Sequence, residues 1–306
     1  MLTGLLGRIN RAWFDIQCHG IFSTPPLKII KDNVAIVSMI CHKDLTMYLI
    51  AVKSLYNYLK QAEIFILNDG TLTKSDINVL GHHLSHPQII DVKDINVGKC
   101  PKGGTWERLL FIADKAKDYY MVQIDADTLT IGGIPEVISC IRDNRSFMIG
   151  TWKNQEIEPM ESTCEDIKTE TNKSTHVQVI AEKSFYRLKD YKTLKYARGS
   201  SAFAGFAKGS FSREAVERFS LEMEELLGAS KWSEWGSEQL TSNFIISNSS
   251  SSSVLPFPKY AAYSSSSGNS YDNSSFLHFI GTDRIGTDRF KNGFYKEKAK
   301  GMIGKL

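Results

Sequence analysis

Short apolar runs alternating with helical stretches constrain this chain more than any other feature. Val34-Ala35-Ile36-Val37-Ser38-Met39-Ile40 and Glu63-Ile64-Phe65-Ile66-Leu67 are nearly continuous in apolar residues and rich in β-branched ones. Gln88-Ile89-Ile90-Asp91-Val92 and Tyr119-Tyr120-Met121-Val122-Gln123-Ile124 follow the same pattern. A strand covered on both faces reads this way, whereas a strand with one wet face alternates. Between the runs, residues 46–60 place Leu49, Val52, Leu55, Tyr56 and Leu59 on one helical stripe, and 72–84 and 106–117 also have helical patterns. Strand, helix, strand, helix at this spacing predicts an α/β fold: a Rossmann-like sheet flanked by helices. No G-x-G-x-x-G and no G-x-x-x-x-G-K occurs, so the common dinucleotide and NTPase cradles are absent.

The 306 residues suffice for one large α/β domain or two small ones. A formal charge of +3 gives no reason to expect a nucleic-acid partner. The five cysteines, Cys18, Cys41, Cys100, Cys140 and Cys164, are scattered and form no C-x-x-C pair, which fits a reducing cytoplasmic compartment. No apolar run is long enough to span a membrane, and no signal-peptide pattern opens the chain.

Several further segments carry expectations. At the start, Leu2, Leu5, Leu6, Ile9, Trp13 and Ile16 fall at helical spacing, with Arg8 and Arg11 on another face. Such a helix either packs on its own domain or lies on an anionic membrane surface. Residues 128–141 look helical, 153–176 read as a mobile polar loop, and Val177-Gln178-Val179-Ile180 as a strand. Residues 213–227 form an amphipathic helix, and the serine clusters 249–253 and 264–267 flexible loops. The expected organisation is an N-terminal helix and linker (1–32), a single domain (33–290) with halves 33–150 and 151–290, and a basic tail (291–306).

The chemistry concentrates where the fourth apolar run ends, at Asp125-Ala126-Asp127. Two carboxylates one residue apart at a strand end make a hard oxygen site for Mg²⁺ or Mn²⁺. A second stretch, Phe276-Leu277-His278-Phe279-Ile280-Gly281-Thr282-Asp283-Arg284, supplies an imidazole suited to Mn²⁺, a glycine that lets backbone approach phosphate, and an arginine fork. Trp232-Ser233-Glu234-Trp235-Gly236-Ser237-Glu238-Gln239 combines carboxylates, an amide and indoles, groups suited to a sugar; it also reads as a helix start capped by Ser237. Arg108 follows Gly103-Gly104-Thr105-Trp106-Glu107 and either faces a donor or lies on a helix surface. Asp69, in Asn68-Asp69-Gly70, either meets a nucleotide base or closes a turn. Ala202-Phe203-Ala204-Gly205-Phe206 either lines a sugar pocket with backbone or packs in the core.

Taken in order, these motifs resemble those of GT-A-fold glycosyltransferases, most closely glycosyltransferase family 8. That family carries a nucleotide-binding strand, a D-x-D, an F-N-A-G-like stretch, a D-Q-D-x-x-N stretch and an H-x-x-G-x-x-K. Here Val34–Ile40, Asp125–Asp127, Phe203–Gly205, Glu238–Asn243 and His278–Arg284 stand in that order. The resemblance implies a GT-A-type mixed sheet, with Asp125, Asp127 and His278 as metal ligands. It further implies that Asp69, Arg108, Asp125, Gly205, Gly281 and Arg284 hold the donor and its phosphates. Gln239 would lie near the anomeric carbon and Glu238 at the donor sugar. Ala204 replaces the family's asparagine, Leu240 its second aspartate and Arg284 its lysine.

The expected function is transfer of a sugar from a UDP- or GDP-sugar to an acceptor hydroxyl, with Mn²⁺ or Mg²⁺ as cofactor. If the reaction inverts, Glu238 or Glu234 is the general base. The acceptor is expected to be a glycan or a lipid-linked glycan, as in bacterial envelope polysaccharide synthesis, at a cytoplasmic enzyme with peripheral contact to the inner membrane face. A metal-dependent nucleotidyltransferase and a non-catalytic sugar- or lipid-binding protein are the alternatives.

Overall fold

In the computed structural model of the chain, which describes residues 2–169, 174–281 and 293–306, the apolar runs pair as their pattern predicts. Strand β1 (Val34–Ile40) lies between β2 (Glu63–Asn68) and β4 (Tyr120–Ile124), parallel to both, and β3 (Gln88–Asp91) is parallel to β2. Successive side chains of β1 enter opposite cores. Val34, Ile36 and Ile40 pack with α2 (Leu45–Leu59), while Ala35 and Val37 pack with α4 (Trp106–Lys115). Burial on both sides explains why the run shows no polar alternation. Helix α3 (Lys74–His83) connects β2 to β3 and opens with a reciprocal cap between Thr73 and Asp76.

Beyond β4 the sheet becomes mixed. Strand β9 (Ser200–Phe206) is antiparallel to β4 and to β6 (Ser146–Ile149), and β10 (Ser252–Leu255) is parallel to β6. The order across the seven strands is β10-β6-β9-β4-β1-β2-β3. From β1 the chain builds outward to β2 and β3, then recrosses to β4 on the other side of β1. That reversal opens a crevice at the C-terminal ends of β1 and β4, where open α/β sheets bind ligands.

A second sheet of three strands joins β5 (Thr128–Thr130), β12 (Phe276–Phe279) and β11 (Tyr260–Tyr263). Asp125-Ala126-Asp127 is the segment by which the chain leaves β4 and enters β5. Backbone bonds pin it from both sides. Asp125 N donates to Ala202 O (2.9 Å), and Phe279 N donates to Asp127 O (2.9 Å).

Elsewhere the structure departs from the sequence expectations. Residues 128–141 are β5 followed by α5 (Pro135–Arg142), because Gly132-Gly133 interrupts the helical pattern and Pro135 is suited to a first helical turn. Residues 153–176 are not simply a loop. They hold β7 (Glu158–Pro159), which pairs with β8 (Lys195–Tyr196), and α6 (Met160–Thr169), which buries Met160 and Cys164. The run Val177–Ile180 opens α7 (Val177–Ser184) instead of forming a strand. His176 accepts from Gln178 N at its start, and Val177, Ala181 and Ser184 share a buried side. Four residues, three of them apolar, cannot distinguish the two periods. Ser252 and Ser253 belong to β10, an edge strand and not a loop. Helix α8 (Arg213–Leu227) has the expected bounds, with α9 (Ala229–Trp232) and α10 (Ser237–Ser247) following it.

The chain's ends join the core. Phe14 of α1 (Leu2–Gln17) stacks on Tyr295 of α11 (Gly293–Ile303) at 5.0 Å, and Tyr295 stacks on Phe279 at 4.2 Å. The segment expected as a basic tail is therefore in part a helix with Tyr295, Ala299 and Met302 buried. Among the described residues no helix is long and apolar enough to cross a membrane.

Gly205 belongs to packing. In β9 it pairs with Val122 and Phe147, and a Cβ there would run into the Phe147 ring and come within 2.6 Å of the Tyr120 hydroxyl. Gly205→Ala is expected to lower stability by about 1–3 kcal/mol through overpacking. A urea melt with an unchanged midpoint would contradict this.

Candidate active site

Sheet register assembles the candidate metal ligands. His278 lies opposite Thr128 in the β12–β5 pair, one residue beyond Asp127. Its Nε2 is 3.4 Å from Asp127 Oδ1. Thr128 Oγ1 donates to Asp125 O at 2.8 Å and tightens the turn between the two aspartates. One ligand atom each from Asp125, Asp127 and His278 lies within 4.8 Å of the others, so the three can converge on one ion. Two carboxylates and an imidazole are a donor set for Mn²⁺ or Mg²⁺. Asp127 and His278 are buried while Asp125 is half-buried, so a bound ion would meet solvent or ligand from one side.

Arg108 is the electrostatic centre of the site. Carried inward by α4, it is buried to 3% exposure, which settles its placement away from the helix surface. Its Nη1 donates to Asp125 Oδ1, and its Nη2 is 3.7 Å from Glu238 Oε2. Glu238 stands in the first turn of α10, where the helix dipole favours an acid, and Gly236 rather than Ser237 is the N-cap. Glu238 Oε2 also accepts from Thr105 Oγ1 at 2.7 Å. Ser237 instead accepts from the Trp106 indole at 3.0 Å, fixing α10 against α4. Gln239 accepts from Ser201 N at 3.3 Å and donates to Gln178 Oε1 at 3.2 Å.

These groups line one cavity of about 600 Å³. Arg108, Asp125, Asp127, Glu238, Gln239, His278 and Gly281 all contribute to it. Gly281 has φ +54°, a conformation glycine adopts freely. Trp235 forms part of the wall and is 69% exposed. Three of the expected residues lie elsewhere. Glu234 is exposed and ion-paired with Lys231 at 2.6 Å. Asp69 is exposed, accepting from Thr71 N and Oγ1 in a turn. Gly205 packs against Phe147 in the sheet. Arg284 lies outside the described residues.

The cavity also holds residues that sequence reasoning passed over: Asp44, Gln178, Ser201 and Arg198. Asp44 follows β1, so its place at a strand end was the available signal. Arg198 donates from Nε to the fully buried Glu182 at 3.0 Å and also lines an adjoining cavity of about 410 Å³. No local motif marks Gln178 or Arg198.

Burial pushes the Glu238 carboxyl above its ordinary value, against the pull of Arg108 and the Thr105 hydroxyl. A carboxyl raised on folding binds more protons folded than unfolded. Its ionised form therefore weakens the folded state as pH rises above the unfolded value of 4.5. Glu238→Gln is accordingly expected to melt no lower than the parent at pH 7, with any gain shrinking as pH falls toward that value. A melting point several degrees lower at pH 7 would count against this account of Glu238.

The strand order, the D-x-D beyond β4 and the second sheet closing on it define a GT-A-like fold. The solved structures that it is similar to include GT-A glycosyltransferases. WbbM, a bifunctional glycosyltransferase, aligns at 13% identity and TM-score 0.49 over 89% of this chain and 50% of its own, so the chain spans half the length of that relative. The galactosyltransferase LgtC, in complex with donor and acceptor sugar analogues, aligns at 9% identity and TM-score 0.48 over 89% and 96%. Mouse xyloside xylosyltransferase 1 aligns at 12% and 0.47 over 81% and 97%. No family model matches the sequence, and no curated protein does.

Proposed function

We propose that this protein is a glycosyltransferase that moves a sugar from a nucleoside-diphosphate donor, UDP- or GDP-linked, to an acceptor hydroxyl, with Mn²⁺ or Mg²⁺ held by Asp125, Asp127 and His278. One observation carries the reading. Asp125, Asp127 and Glu238 set three carboxylates around the single guanidinium of Arg108, which leaves two formal negative charges beside an imidazole on one cavity wall. That surplus fits a divalent cation. When bound, the ion supplies charge stabilisation to the departing diphosphate.

The chain's own residues do the positioning. Arg108 holds Asp125 in place and keeps its charge from repelling that of Glu238. Gln239, fixed by Ser201 and Gln178, presents its amide to the cavity where the sugar would lie. Trp235 offers a stacking face. Glu238 has one oxygen engaged by Thr105 and Arg108, and burial leaves little of it open to an incoming acceptor. In this reading Glu238 organises Arg108 beside the donor, and Glu234, tied to Lys231 outside the cavity, is not positioned to serve as base.

A nucleotide-sugar hydrolysis screen with Mn²⁺ tests the proposal. Release of UDP or GDP that depends on the metal supports it. Metal-dependent nucleoside diphosphate binding without release under any condition favours a binding protein, and no binding with or without Mn²⁺ removes the transferase reading.

A further inference from the structure

Among the described side chains of helix α1, one side is buried and another leaves apolar groups exposed. Asn10, Phe14 and Cys18, each four residues apart, are buried against the body of the protein. On the other side Ile9, Trp13 and Ile16 are 42%, 52% and 64% exposed, spaced so that they form one row along the helix. Single exposed apolar residues are ordinary, but a row of two isoleucines and an indole on one helix marks an interaction surface.

At its C-terminal end this helix meets the lysines of α11, with Asp15 as the acid of α1 nearby, itself paired with Arg11 at 3.6 Å. Lys300 of α11 donates from Nζ to Gln17 Oε1 at 3.3 Å, at the C-terminal end of α1. Lys296 lies one turn earlier on the same side, and both lysines exert their charge on Cys18. From residue 293 to the end the chain has four lysines, Lys296, Lys298, Lys300 and Lys305, against the single acid Glu297. On the flank of α1, Arg11 Nη2 lies 3.4 Å from Asp44 Oδ1, and Asp44 lines the large cavity.

We propose that the outer face of α1, with the lysines of α11 beside it, docks this protein on an anionic lipid bilayer. The indole and the two isoleucines enter the headgroup boundary, while lysine stems lie along it and deliver their ammonium groups to lipid phosphates. A second copy of the chain fits the surface less well. Three apolar residues fall far short of a stable protein interface, and two-fold pairing through this face would bring like-charged lysines together. Docking through α1 holds the cavity rim at Asp44 within about one helix diameter, ~10 Å, of the bilayer.

Co-sedimentation of the full chain with vesicles tests this, using pure phosphatidylcholine and an equimolar mixture with phosphatidylglycerol. Binding to the mixed vesicles and weak binding to the neutral ones is expected, falling as salt rises. Ile9→Ser/Trp13→Ser/Ile16→Ser should weaken partitioning at least about tenfold. Lys296→Glu/Lys300→Glu should weaken it by a similar factor and flatten the salt dependence. Since these side chains are exposed or at the helix flank, circular dichroism and the urea midpoint serve to verify that both variants fold. Failure of the parent to sediment with phosphatidylglycerol vesicles, or equal binding by the triple variant, overturns the proposal. So does a parent dimer, detected by ultracentrifugation and lost in the triple variant, without vesicle binding. Neither metal nor nucleotide is needed for the assay, so its outcome is separate from that of the glycosyltransferase reading.

Discussion

Asp127→Ala is expected to abolish the Mn²⁺-dependent binding of UDP or GDP while leaving the metal-free protein as stable as the parent or slightly more so. The two effects have one source. Asp127 would supply one of three converging ligand groups, and even a group that merely supports a ligand is worth about 10–100-fold in metal affinity. In the metal-free protein the same carboxylate adds to the negative charge of Asp125 and Glu238 bearing on Arg108, and its contact with the His278 ring is long at 3.4 Å, so its removal costs little. The backbone bond from Phe279 N to Asp127 O survives the change, which keeps β5 and β12 aligned. Turnover should fall by roughly 10²–10³-fold or more, the equivalent of several kcal/mol of lost charge stabilisation at the diphosphate. Calorimetry with UDP and GDP, with and without Mn²⁺, measures the first effect, and thermal melts with and without Mn²⁺ the second. If the variant shows the same Mn²⁺-induced rise in melting temperature as the parent, the metal site is elsewhere.

Arg108→Ala is expected to be the most destabilising single change in the cavity, by about 3–5 kcal/mol, because it leaves buried carboxylates without their counter-charge. Glu238 is 2% exposed and cannot recover solvation by moving a short distance. The effect should persist at high salt, since a buried pair is screened little. Arg108→Met combined with Glu238→Gln should regain much of the loss, because the pair is removed together and the remaining shape is retained. Urea denaturation of Arg108→Met, Glu238→Gln and the variant that combines them gives the coupling. Simple additivity of the two changes would show that Arg108 is held by packing and not by its carboxylates.

Much of the framework was legible because its signals are local. A strand buried on both faces writes its burial into consecutive residues, so β1, β2 and β4 could be located from composition alone. The D-x-D was legible for a related reason: it follows directly on such a strand. What joins distant segments was harder to read. The approach of His278 to Asp127 depends on the β12–β5 register, which motif order suggested but no local pattern encodes. Arg108 is indistinguishable in sequence from a surface arginine, and only α4's seating against β1 turns it inward. Gly205 was open to two readings, pocket lining or core packing. Its small-residue stretch fits either, and only the Phe147 ring on the neighbouring strand shows that the glycine serves packing. The strand expected at Val177 failed because a run of four residues fits both periodicities, and the cap at His176 is what selects the helix.

The D-x-D is a seam. Asp125 belongs to chain leaving the large sheet, whereas His278 belongs to the small one, so an ion bound by both would act as a rivet between two layers. Binding free energy at such a joint is shared with whatever holds the layers together, and by reciprocity a tighter joint holds the ion more firmly. From the histidine's own strand, Phe279, Tyr295 and Phe14 continue as a stack of rings to the terminal helix whose far side faces outward. The seam that would hold the leaving diphosphate is thus mechanically contiguous with the outer wall of the molecule.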